Sequence, residues 1–196
     1  PTATPTPEPT VTPTTTPVEP TKAPTPVPEV PSDVVDFSTW KLQLPIAADN
    51  GLSVKEVYPE ELNAGYTHDE YFYVDTDGAI VFYCPVDGFK TANTNYARTE
   101  LREIIDGKNA AVNWGWNGTH ILRTSETVEE VPSNGRTVVS QIHGIYPNGD
   151  NGPVLVKVQY EHDIKAVVVM LKTGTAANAA EQRGYFYGVE LGQRFD

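Results

Sequence analysis

The sequence predicts an all-β domain behind a disordered, Pro/Thr-rich linker. Three observations carry that prediction. Residues 33–196 contain short runs rich in Val, Ile, Tyr and Phe: EYFYVD (70–75), AIVFYCPV (79–86), YARTELREI (96–104), RTVVSQIHGIY (136–146), PVLVKVQYEHD (153–163) and IKAVVVMLKT (164–173). Turn pairs stand between such runs, at Asp77-Gly78, Asn134-Gly135, Asn148-Gly149 and Asn151-Gly152. No helix with cap signals extends beyond a turn or two; the best short candidate is SVKEVYPEEL (53–62). Many short antiparallel strands at this spacing mean a sandwich or a barrel.

The first 32 residues differ in kind from the rest. They hold 11 of the 17 prolines and no aromatic residue. Such a segment cannot bury enough apolar surface to offset its ordering entropy, so it reads as an extended spacer. Residues 33–196 hold all three Trp, all ten Tyr and all six Phe, enough for one cored domain. Spacers of this composition join modules in secreted proteins. The expectation is therefore a monomeric module of a larger extracellular protein.

Within the domain, VLVKVQY alternates cleanly: Val154, Val156, Val158 and Tyr160 on one face, Leu155, Lys157 and Gln159 on the other. KAVVVMLK is apolar on both faces, as a covered strand would be. The net charge of −12 and the absence of any basic tract argue against a nucleic-acid partner. No apolar run is long enough to cross a membrane as a helix. The single Cys84 excludes an internal disulfide and sits where an inert thiol is expected. There is no phosphate loop, no nucleophile elbow and no metal-ligand spacing. No metal or cofactor is expected.

Two strands break the pattern. In YARTELREI, alternation puts Arg98, Glu100 and Arg102 on one face and Thr99, Leu101 and Glu103 on the other. A net-positive ladder on an acidic chain is either a solvated edge or a site for a carboxylate. In TVVSQIHGIY, alternation puts Val138, Ser140 and Ile142 on one face and Val139, Gln141, His143 and Ile145 on the other. A structural histidine is the default reading of His143 alone. If both strands share a sheet, guanidinium, carboxylate, amide and imidazole groups meet, a set suited to a planar carboxylate. Glu100 and Glu103 lie on opposite faces, which disfavours the paired carboxylates of a glycosidase.

YARTELRE (96–103) and QIHG (141–144) resemble two signature blocks of polysaccharide lyase family 7, the alginate lyases. FSTWKLQLPI (37–46), DGAIVFYCPVDGFKT (77–91) and GYFYGVELGQRFD (184–196) resemble further stretches of the family, in order. The resemblance implies a concanavalin-like jelly-roll β-sandwich with a concave substrate-binding sheet. It implies alginate as the anionic partner and β-elimination as the reaction, with no cofactor. It implies Arg98, Gln141 and His143 as catalytic, and Glu100 and Arg102 as supporting or substrate-binding residues; Lys157 is added as a substrate-binding cation. Gln-Ile-His, rather than Gln-Val-His, implies guluronate-containing linkages and endo action is expected with it.

The family's block Tyr-Phe-Lys-Ala-Gly-x-Tyr-x-Gln has no counterpart here. GYFYG (184–188) lacks the Lys-Ala-Gly context, so neither Tyr185 nor Tyr187 is assigned as catalytic. The domain is accordingly expected to be C-terminally incomplete and poorly active alone. Two rival readings remain at this level. One is a non-catalytic carbohydrate-binding module, for which NWGWNG (113–118) would supply stacking aromatics, although packing is the better reading of that stretch. The other is a lyase for a different uronan, such as glucuronan.

Overall fold

The computed structural model describes residues 26–92, 94–104, 114–115, 117–145, 151–174, 176 and 178–196. Most of the Pro/Thr-rich stretch (1–25) and the Asn148-Gly149 pair lie outside the described residues. The end of that stretch is packed on the domain: Pro31 is buried in a short 3-10 turn, and the Asp33 carboxylate accepts from the Glu29 and Val30 amides.

The described chain is almost entirely strand and loop. In order, the elements are β1 (Trp40–Ala47), β2 (Val54–Val57), α1 (Pro59–Asn63), β3 (Phe72–Val74), β4 (Ile80–Phe82), β5 (Glu100–Glu103), β6 (Glu126–Thr127), β7 (Arg136–Ile145), β8 (Asn151–Glu161), β9 (Ala166–Lys172), β10 (Glu181–Tyr187) and β11 (Arg194–Phe195). Two sheets carry the site: β2-β1-β5 and β10-β9-β8-β7, both antiparallel. The pairs β3-β4 and β6-β11 are separate two-stranded sheets; Phe72 of β3 packs in the β1 core, and residues in and beside β6-β11 pack under β8 and β9.

The sheet β2-β1-β5 has one apolar and one polar face, as period-two alternation requires, whereas in the four-stranded sheet β9 is apolar on both faces. On β1, Leu42 and Leu44 are fully buried and pack with Phe37, Val57, Leu62 and Phe72. Lys41 and Gln43 point the other way. On β8 and β9, Tyr160 and Val167 pack with Val128, Val131, Leu191 and Phe195 from the β6-β11 layer. Two small cores thus sit under the two sheets, and a third buried cluster, Ala166, Val168 and Met170, lies on the other face of β9.

Three expectations change. The candidate helix 53–62 is divided: residues 54–57 form β2, paired with β1, and only Pro59–Asn63 is helical. Proline starts that turn because its fixed φ suits the first helical position and its missing N–H is not needed there. The Asn151-Gly152 pair is not a turn but the start of β8. Gly152 is there for close approach: a Cβ would lie 2.8 Å from the Ile145 carbonyl carbon. Finally, β7 carries a bulge, because Val138 pairs with Gln159 but Ser140 pairs with Val158. The extra residue turns Val139 into the core and leaves Val138 exposed, so Val139 does not share a face with Gln141.

Phe72 is fully buried, in edge-to-face contact with Phe37 (centroids 6.0 Å) and Phe82 (5.3 Å). Phe72→Ala is predicted to destabilise the domain by about 3–5 kcal/mol through cavity formation. Half-exposed Phe82→Ala should cost much less. Urea unfolding midpoints at unchanged slope measure both.

Candidate active site

The strand β5 is anchored through β1: Leu42 pairs with Leu101, Lys41 with Arg102 and Gln43 with Glu100. Leu101 packs toward the Phe37–Leu42 core, so Glu100 and Arg102 must face away from it. Directly paired residues share a face. Lys41 and Gln43 therefore stand beside the Arg-Glu-Arg ladder, a contribution missed by the sequence reading. The signal was present as the polar alternates of WKLQLP.

The structure brings β5 and β7 together through side chains. Arg98 Nη1 donates to Glu100 Oε1 at 3.4 Å, and Gln141 Nε2 donates to Glu100 Oε2 at 3.3 Å. One carboxylate thus holds the guanidinium of one strand and the amide of the other. Their exposure is intermediate: the Arg98 side chain is 34% exposed and that of Glu100 23%. Lys157 lies directly across from Gln141 in the β7–β8 register, on the same face. A cleft of about 520 Å³ opens beside Arg98, lined among others by Gln43, Lys55, Glu56, Thr91 and Thr94.

A second tie runs parallel to the first. Trp114 bridges Gly144 in parallel, its amide donating to the His143 carbonyl (3.1 Å) while its own carbonyl accepts from Ile145. Its indole N–H donates to Glu103 Oε2 at 2.9 Å, and its ring contacts His120. Glu103 is thereby committed to structure, on the face opposite Glu100. Trp114 is a packing residue; Trp116 lies outside the described residues.

His143 is half-buried. Its Nδ1 lies 3.3 Å from the Gly144 carbonyl. A carbonyl only accepts, so Nδ1 carries the proton and Nε2 holds the lone pair in the neutral ring. Burial pushes the imidazole below its ordinary range, and the Arg102 and Arg98 charges push the same way. The Gly144 carbonyl and the Glu100 carboxylate oppose that shift. The neutral, basic form is favoured. Gly144 permits the arrangement, since a Cβ there would meet Leu155 Cδ2 at 2.8 Å.

Among the described residues, no group of three or more His, Cys, Asp or Glu side chains is placed to hold a metal ion. Among the described residues, no helix is long and apolar enough to cross a membrane. Cys84 is a half-buried free thiol whose ionisation is pushed up by burial.

The profile of the alginate lyase family matches residues 35–196. The chain belongs to the alginate lyases of polysaccharide lyase family 7. Among solved structures, the family 7 alginate lyase A1-II′, crystallised with the substrate GGMG, is 41% identical, with a TM-score of 0.73 over 84% of this chain and 68% of that one. An alginate lyase from Pseudomonas aeruginosa is 26% identical, with a TM-score of 0.63 over 82% of this chain and 70% of that one. An alginate lyase from Klebsiella pneumoniae is 29% identical over 142 residues, 58% of this chain. This chain's match spans 46% of that relative's length, about half. The jelly-roll sandwich of these alginate lyases agrees with the almost entirely β architecture described above.

The His143 environment gives a prediction with a sign. Its NMR titration midpoint should lie below the ordinary imidazole value of about 6.5. Arg102→Ala should raise the midpoint and Glu100→Gln should lower it. Because the unfolded imidazole takes up a proton that the folded one resists, the His143 contribution should destabilise the fold as pH falls through about 6.5 toward the folded-state midpoint. His143→Phe should flatten that part of the stability profile.

Proposed function

We propose that the chain is an alginate lyase module that cleaves its polymer by β-elimination. One observation carries the reading: Arg98 and Gln141 both hydrogen-bond Glu100, and His143 stands within electrostatic reach of the same carboxylate and of both arginines. Family membership and the relative crystallised with GGMG support it.

Alginate is a linear chain of mannuronate and guluronate. The proton on C5 neighbours a carboxylate and is barely acidic, because its removal builds more negative charge on that group. Charge neutralisation is therefore the first requirement. In this reading the Arg98 guanidinium and the Gln141 amide receive the uronate carboxylate, the first as a charged fork and the second as a neutral donor. Glu100 holds both in position. His143 Nε2 takes the C5 proton. The electron pair left behind forms the C4–C5 double bond as the C4–O bond breaks, and the leaving oxygen acquires a proton. No residue of this chain is assigned to that last protonation. Arg102 and Lys157 bind neighbouring uronates. The steps require no metal or organic cofactor.

The Gln-Ile-His form supports a preference for guluronate-containing linkages, and a site on an open sheet face supports endo attack. The Pro/Thr-rich stretch supports a secreted, multi-modular protein in which this module is monomeric. Long-range repulsion opposes substrate approach, since the domain carries about −10 once the linker is set aside. The site itself counters this with Arg98, Arg102 and Lys157 around a single Glu100.

Incubation with alginate should generate the ultraviolet absorbance of a conjugated unsaturated uronate. Arg98→Ala should lower kcat/KM by about 10²–10³, the usual cost of removing one donor aimed at developing charge. The acid limb of kcat/KM should fall below about 6.5, because that profile reports the free enzyme, in which His143 is shifted down. Binding without absorbance would identify a carbohydrate-binding module; absorbance only with glucuronan would identify a different lyase. Activity is also expected to peak at moderate ionic strength, where salt screens the repulsion before it weakens the arginine contacts. A monotonic fall with added salt counts against that electrostatic account.

A further inference from the structure

We infer that Glu103 and Trp114 are positioning residues for His143: together they fix the peptide that sets its tautomer and so leave Nε2 free to accept a proton. They touch no reacting atom, and Glu103 lies on the face of β5 opposite Glu100. The effect on turnover rests on the lyase reading above; the effect on the tautomer does not.

His143 needs support from outside its own ladder. The β7–β8 register shifts between Ile142 and His143 and again between His143 and Ile145. Such shifts disrupt the ladder locally and let the strand bend. The β8–β9 ladder, by contrast, runs without a shift. On the other edge of β7, Trp114 takes up two backbone groups on either side of Gly144. Its N–H donates to the His143 carbonyl and its carbonyl accepts from the Ile145 N–H, both at 3.1 Å.

The second of these bonds reaches the imidazole. The Gly144 carbonyl and the Ile145 N–H belong to one planar trans peptide, so they point in opposite directions and turn together. Holding the N–H against Trp114 fixes the direction of the carbonyl. That carbonyl is the acceptor 3.3 Å from His143 Nδ1. With the proton on Nδ1, the lone pair of the neutral ring is on Nε2. Gly144 has no side chain to pack this peptide in place, and a Cβ there would meet Leu155 Cγ at 2.9 Å. The restraint comes from Trp114 instead.

Glu103 in turn places Trp114. A bridged pair shares a face, so the indole lies on the side of position 144, toward buried Leu155. There its Nε1–H donates to Glu103 Oε2 at 2.9 Å, a charge-assisted bond. His120 covers the ring at a centroid distance of 4.9 Å. The two carboxylates of β5 thus act on β7 in different ways. Glu100 takes the Gln141 amide directly. Glu103, through an indole and one peptide, sets the His143 ring. Cutting the indole bond frees that peptide to rotate and admits the Nε2–H tautomer, in which the proton sits on the atom that must receive one.

The test uses the full chain with isotope-labelled histidine and ring-nitrogen NMR at about pH 8, well above the ordinary imidazole value. His143 is assigned by the signal lost in His143→Phe. The parent should show the Nδ1–H form; a parent in the Nε2–H form overturns the inference without any variant. Trp114→Phe and Glu103→Leu should each shift His143 to a mixture of tautomers. Each should lower kcat on alginate by about tenfold or more with KM changed less than about twofold, the pattern of a misplaced reacting group rather than of lost binding. Glu103→Gln keeps an acceptor oxygen and should retain most of the parent's kcat and tautomer. Trp114→Phe combined with Glu103→Leu should be no worse than the worse single variant, since both cut one bond. An unchanged tautomer in both single variants overturns the inference, as does a loss of kcat as large in Glu103→Gln as in Glu103→Leu. Shifted tautomers in the variants of a parent that makes no unsaturated product from alginate uphold the positioning role and overturn the lyase reading.

Discussion

Among the described residues, two side-chain hydrogen bonds tie the site-bearing sheets to one another: Gln141 to Glu100 on the polar side and Trp114 to Glu103 on the other. Both end on β5, a four-residue strand whose only ladder partner among the described strands is β1. The backbone alone therefore does not join β5 to β7. Among the described residues, two carboxylates on opposite faces of one strand bridge them, each engaged by a donor from or beside β7. This is why a chain with a large acidic excess retains glutamates within a positive ladder. They serve as acceptors that set the positions of a guanidinium, an amide and an indole.

The same constraint extends outward along β1 and β2. Lys41 faces Arg102 across the ladder, an unfavourable pairing in isolation. Its ammonium is almost fully buried and forms an ion pair with Glu56, whose other oxygen accepts from the Tyr58 hydroxyl at 2.9 Å. A buried ion pair of this sort contributes little net stability relative to apolar packing, but loss of one partner strands the other charge. Its effect here is to make Lys41 locally neutral. Arg98, held by Glu100, and Arg102 act on His143 from this face, and Lys157 stands across from Gln141. Burial first, and the Arg102 and Arg98 charges after it, favour the neutral form of His143, which is the form a proton acceptor requires.

Much of this was legible because strand alternation is a local rule. The faces of Arg98, Glu100 and Arg102 follow from counting by two along the run; His143 lies past a register shift after Ile142, and the folded structure fixes its place near Glu100 and the two arginines. The apolar complement, from Leu42 and Leu44 to Tyr160 and Val167, follows in the same way. Where the backbone departs from strict alternation, counting fails. The bulge at 138–140 removes Val139 from the Gln141 face, and nothing in TVVSQ announces it. The strand at 54–57 was also hidden, because VKEV reads equally as part of a helix and only its pairing with β1 decides. Asn151-Gly152 has the composition of a turn, yet Gly152 is required for close passage of two backbones.

By itself, then, the sequence determined the all-β class, the polar faces of individual strands and, through its signature blocks, the family. Those properties depend on residue type and on separations of two or a few positions, which the chain carries regardless of how it is folded. Tertiary structure decided which faces meet. It put Glu100 within hydrogen-bonding reach of residue 141, aligned Gln141, Lys157, Met170 and Arg183 in one row, and enclosed His143 enough to favour its neutral ring. Register between strands distant in sequence and desolvation by neighbouring layers are properties of the packed molecule, because each arises from groups that approach only when the sheets assemble.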